Sequence, residues 1–310
     1  MNCGQCREHQ NSKTKKSRNW LIALSILAFP SVLFFGFLFF MEEPLPPLAP
    51  LPNPNGYADL VKAGTMLANE TDIFNKTNMA QVRKIVAANA AALAIARAAL
   101  SNQCRVPVQF TAAFNSNHVS DLTLVRFLSR AFIAEGRLAE MENRPADAAK
   151  SYLDTIHLAN EVARGGLFID ELVGIAIEQY GRDHLQKLLL HLDARTCRET
   201  AAALEVLDAQ KPTWSDVIRQ EDVWSRAAFH GWRYKFLRWK ERKSNAAANA
   251  RIGQKLDADE QEMRQLIIAL AARAYELDKG HRPASAADLV PEYLKAVPQD
   301  PVTGTNIVSP

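Results

Sequence analysis

The chain has 310 residues, 48% hydrophobic and 23% charged, which excludes a wholly disordered, collagenous or disulfide-dense protein. The formal net charge is +3, but residues 1–19 alone hold Arg7, Lys13, Lys15, Lys16 and Arg18 against Glu8. The basic character therefore belongs to a tail and not to a domain, and nucleic acid is not an expected partner.

The tail opens with Cys3-Gly4-Gln5-Cys6 and His9. Two thiolates and an imidazole at that spacing could supply three ligands to zinc, but a closed tetrahedral site needs a fourth. The alternative is an inert or merely thiol-reactive tail.

Trp20 to Met41 are 22 residues without a charge. At ~1.5 Å per residue a helix of that length spans a ~30 Å hydrocarbon core. Trp20 sits where an interfacial ring belongs, and Pro30 is tolerated inside a membrane helix. Basic residues precede the segment and Glu42-Glu43 follow it. The positive-inside rule then places residues 1–19 in the cytoplasm and 42–310 outside. A cleaved signal peptide is the competing reading; the apolar stretch is long for one, and no small-x-small site follows it. Residues 42–56 hold six prolines between Pro44 and Pro54 and read as a stand-off spacer.

From 57 to 279 the chain reads as helix after helix. Asn78 with Gln81 opens a helix to about Leu100, in which nine of the 13 residues from Ala87 to Ala99 are alanine. Arg105 to Phe110 is the one strand-like stretch. Apolar periodicity resumes at Leu122, Val125, Leu128, Phe132 and Leu138. Pro145 fits the first turn of a helix closed by Gly165-Gly166. Phe168–Leu192 reads as one helix, and Thr196 with Glu199 as the capping box of the next. Thr213 to about Lys243 and Asp257 to about Lys279 complete the set. Period-two alternation is nearly absent, so the expected class is all-α: a membrane helix, a Pro-rich spacer, a helical-hairpin bundle outside the cytoplasm, and a short irregular cap over 280–310.

Phe132, Gly136, Ala139, Ala148 and Tyr152 are spaced in a way that resembles one tetratricopeptide repeat, with small residues where two helices cross and a large one filling the gap. Tyr275, Gly280, Pro283, Leu289, Pro291, Tyr293 and Leu294, followed by Pro298-Gln299-Asp300-Pro301-Val302-Thr303-Gly304, resemble the tail of many membrane-anchored bacterial proteins and of type II secretion pseudopilins. That resemblance implies a single-pass protein of the bacterial cytoplasmic membrane. Pseudopilins lack the spacer present here, and the expected role of this tail is a structural cap.

Cys104 and Cys197 fall outside the cytoplasm on this topology and could form a disulfide; the alternative is two buried free thiols. Phe229, Trp232, Phe236 and Trp239 form an aromatic stripe at helical spacing, and Arg226, Arg233 and Lys240 recur every seven residues. The stripe is expected to face the core with the basic residues solvated. The alternative is an interaction helix for anionic headgroups or an acidic partner.

No metalloprotease, nucleophile-elbow or phosphate-loop motif occurs, and no cofactor is expected. Glu135, Glu161, Asp170, Glu171 and Glu178 could meet only through the fold. The favoured function is a non-enzymatic envelope scaffold or interaction protein, held by the bilayer through residues 20–41 and engaging a protein partner. The alternative is a membrane-tethered hydrolase using converging carboxylates.

Overall fold

The structure, a computed structural model, describes residues 49–68, 78–229 and 232–307, together with Leu33 and Gly36, both helical. Cys3, Cys6, His9 and the remainder of segment 20–41 lie outside the described residues. Residues 48–310 form one compact unit. Its helices are α1 (Tyr57–Thr65), α2 (Met79–Leu100), α3 (Phe114–Met141), α4 (Pro145–Ala163), α5 (Phe168–Leu188), α6 (Ala194–Ala209), α7 (Trp214–Ala228) and α8 (Trp232–Lys279), with short 3-10 turns at Leu189–His191 and Ala286–Leu289. The unit is all-helical, with no strand among the described residues.

Local chemistry sets the boundaries. The Asn78 side chain accepts the Ala80 N–H at 2.9 Å and starts α2, and Pro145 occupies the first turn of α4. Thr213 Oγ1 accepts the Asp216 N–H at 3.2 Å to start α7. The cap of α6 is Asp193 and not Thr196: its carboxylate takes the Thr196 N–H at 2.7 Å and brings a negative charge to the positive end of the helix. Gly280, at φ 76°, ends α8 in the left-handed region that favours glycine.

Two expectations are corrected. Arg105 to Phe110 runs extended but joins no sheet; the Val106 N–H goes to the Arg164 carbonyl at 3.1 Å, while Val106 and Val108 are buried. The helices expected over 213–243 and 257–279 are divided elsewhere. α7 stops at Ala228, with Phe229 extended at φ −119° and ψ 112°. α8 then runs 48 residues without interruption, about 72 Å at 1.5 Å per residue. The alanine-rich stretch after Ser244 continues the helix, as its propensity favours.

Two cores share the α3–α4 hairpin. Phe132, Leu158 and Val162 pack with Tyr57, Leu60, Leu93, Leu128, Ile177 and Trp224. Ile133, Tyr152 and Ile156 pack instead with Leu185, Leu204, Ile267, Leu270 and Ala274. Gly136 lets the hairpin close, because a Cβ there would stand 2.3 Å from Tyr152 Cε1. The C-terminal segment joins the second core through Leu289, Tyr293, Leu294 and Ile307.

The Cys104–Cys197 bridge is absent. Both are buried free thiols, Cys104 in the first core and Cys197 in the second. Burial pushes their pKa values up, to about 12 and about 11, so both stay protonated and poorly nucleophilic.

Among the described residues one helix, α2, is long and apolar enough to cross a membrane. It also belongs to the folded unit: Val82, Ile85, Leu93 and Ala96 are buried, and Arg97 is paired with Glu135 and Asp154.

Candidate functional site

Three of the four stripe residues are not in the core. Phe229 is 40% exposed, Phe236 49% and Trp239 65%, with Leu237 between them at 50%. The inward aromatic position is filled by Trp224, 3% exposed, whose Nε1–H reaches the Gln109 carbonyl at 3.0 Å. The break before α8 separates Phe229 from the rest of the stripe. The second half of α8 supplies the core instead, leaving the first half without apolar cover.

That first half has two sides. In the helical register Trp232, Phe236 and Trp239 share one row, flanked by Lys235 and Arg242 on one side and by Arg233 and Lys240 on the other. Tyr234 and Arg238 lie roughly half a turn away. Tyr234 stacks on Phe229 with ring centroids 5.3 Å apart, and Arg238 bridges Asp222 of α7 at 3.3 Å. So the α7-facing side is the polar back, and Phe236 and Trp239 turn to solvent with their rings 6.0 Å apart. The seven-residue basic row is divided between helices. Arg226 stays on α7, bridged to Asp222 at 3.1 Å, while Lys240 is exposed on α8. The side chains of Trp232, Arg233, Arg242 and Lys243 lie outside the described residues. Six basic residues and one acid fall between Trp232 and Lys243.

A cleft of about 520 Å³ lies elsewhere, lined by Glu171, Glu178, Asp208, Lys211, Trp214, Asp259, Glu260 and Arg264 among others. Most of these charges are matched. Lys211 Nζ donates to the deeply buried Glu178 at 2.6 Å, and Arg264 Nε donates to Asp208 at 2.9 Å. Arg182, from the buried side of α5, binds Asp259 at 2.6 Å. Glu171 has no such match: its Oε2 is buried without a hydrogen-bond partner, as is Oδ1 of Asp208. Burial raises the Glu171 pKa to about 7; Lys211 opposes the shift, and Glu178, Asp170 and Asp259 add to it.

The other carboxylates named from the sequence are engaged in structure. Glu135 pairs with Arg97, and Glu161 takes Arg164 at 2.6 Å and the Cys104 N–H at 2.9 Å. Asp170 is fully buried against His118 Nε2 and accepts the Leu167 N–H at 2.6 Å, closing the start of α5. Among the described residues no group of three or more His, Cys, Asp or Glu could hold a metal ion.

The cleft was missed by sequence reasoning because Glu171, Asp208, Glu260 and Asp300 come from four separate segments. No family model, curated protein or solved structure matches the chain.

Proposed function

We propose that this is a single-pass, membrane-anchored envelope protein whose helical domain serves as a scaffold or interaction module outside the cytoplasm, with the first half of α8 as its contact surface. The observation that carries this reading is the exposure of Phe236 and Trp239 within a basic helix. Neighbouring large apolar side chains in water favour association, and no described residue covers this pair. The uncharged segment 20–41 and the basic tail before it support the anchor and its orientation.

Two experiments test the proposal. A reporter active only outside the cytoplasm, fused after Pro310, should be active; activity of a cytoplasm-only reporter would overturn the topology. A photo-crosslinking residue at position 239, installed in the full chain in cells, should give an adduct that the same residue at the exposed Val302 does not. Equal labelling at both positions, or none at 239, would remove the contact surface.

Glu171 supports a second reading, a membrane-tethered hydrolase. Its unpartnered carboxyl lines the same cleft as Glu178 two turns along α5, and a pKa of about 7 suits proton exchange near neutrality. Hydrolysis of chromogenic glycoside, ester or peptide substrates by the full chain, lost in Glu171→Gln, would support it. No turnover of any of the three would count against it.

A further inference from the structure

We infer that the aromatic row of α8 rests in the headgroup layer of an anionic phospholipid bilayer, with the flanking lysines and arginines against the lipid phosphates. This inference rests on α8 being the contact surface, as proposed above, and it names the occupant.

Shape, charge and composition each bear on the choice. The row is a ridge on a convex helix: Phe236 is 49% and Trp239 65% exposed, and the opposite side is taken up by Tyr234 on Phe229 and Arg238 on Asp222. A headgroup layer accepts such a ridge without any preformed groove. Basic positions flank the row on both sides, Lys235 and Arg242 on one, Arg233 and Lys240 on the other. Rings at the acyl boundary would then have cations beside them at phosphate depth, the arrangement of an interfacial amphipathic helix. A second copy of this chain would bring the basic positions 233, 235, 240 and 242 against the same four, and like charges would oppose the pairing. Tryptophan is also the side chain most at home at a membrane interface. The same chain carries the uncharged segment 20–41, and tethering to one bilayer would turn a weak second contact into an intramolecular one.

The test uses the full chain in nanodiscs of phosphatidylcholine alone, or of phosphatidylcholine with about one third phosphatidylglycerol. Backbone amide exchange is followed over residues 234–246. Exchange should be about tenfold slower in the anionic discs, and ~0.5 M salt should remove most of the difference. The double variant Trp239→Ala/Lys240→Gln should exchange at the neutral-disc rate in both lipids, with its melting temperature unchanged. Equal exchange of the wild-type chain in both lipids would overturn the lipid assignment. A protein adduct at position 239 alongside that result would leave the contact surface standing with a protein as its occupant. Equal exchange with no adduct of any kind would remove both.

Discussion

The two halves of α8 are one continuous helix with opposite fates. From Met263 to Ala274 the helix buries Met263, Leu266, Ile267, Ile268, Leu270, Ala271 and Ala274 in the second core. From Phe236 to Ala248 its side chains are exposed or half-buried wherever they are described, aromatic rings included. The difference does not follow from apolarity alone, since Phe236 and Leu237 are as apolar as side chains of the core half and are exposed. It follows from what stands opposite. α6 and the C-terminal segment cover the second half, whereas α7 meets the first half only along its polar back. Burial in a helical protein belongs to the pair of surfaces, and among the described residues Phe236 and Trp239 have no partner surface.

The largest expected effect lies in the core half. Leu270, fully buried, should cost about 2–5 kcal/mol when truncated to alanine, read by denaturant unfolding of the full chain. Trp239→Ala removes a larger side chain and should change stability by no more than about 0.5 kcal/mol. Equal losses would mean that the row is buried in solution, and the contrast between the halves would break.

Next in size is the attachment of α8 to the body. The Arg182 side chain on α5 is 4% exposed, and its guanidinium holds Asp259 at 2.6 Å and Glu262 at 2.8 Å. Arg182→Ala would leave Asp259, which is 15% exposed, without its cation. Breaking a buried pair from one side costs about 3 kcal/mol. The loss should appear as faster exchange around Asp259, with no change over Phe236–Lys240.

A pH effect should follow from Glu171, whose pKa is raised by burial to about 7. The folded chain binds a proton that the unfolded chain has released, so the contribution of Glu171 to stability falls as pH rises from ~4.5 through ~7. Glu171→Gln should flatten that slope and stabilise the fold at pH ~8 by roughly 2 kcal/mol. A slope unchanged in Glu171→Gln would assign the titration to another group. The cleft is walled by Leu256, Asp259 and Glu260 of α8, so this titration should report on the middle of the helix and leave the aromatic row untouched.

Much of this fold is written locally. Asn78, Pro145, Thr213 and Gly280 mark helix ends through their own backbone chemistry, and each acts where its residue type says it should. The sequence also displays the aromatic-basic composition of α8. Which way the stripe faces is not local, because the 3–4 spacing is the same against a protein core and against a membrane. The break after Ala228 has a local mark in Gly231, but the apolar spacing runs on through it from Phe229 to Trp239. Asp193 displaced Thr196 as a cap because both are good caps three residues apart. The two cysteines shared a compartment in the topology read from the sequence, but the fold sends them to different cores. The cleft depends on five segments meeting, which no one-dimensional pattern records.

The smallest effect on global stability is the one that most sharpens the contrast. Ala247 and Ala248 are both exposed, between two ties to α7: the Arg238–Asp222 bridge and the Trp214 Nε1–H donated to the Asn249 carbonyl at 3.1 Å. Replacing both by glycine should cost the helix about 1 kcal/mol at each site through lost propensity. In the core half that cost would be felt by the whole fold. In the exposed half the helix opens as a local unit, because few tertiary contacts tie it to the global transition. The double variant should therefore unfold at the same denaturant midpoint as the wild type, while amide exchange over Phe236–Ala250 rises severalfold. A midpoint lowered by the full propensity cost would show that the exposed half folds and unfolds with the body. It would then no longer be free to open, and its aromatic row would be presented to a partner only as a rigid ridge.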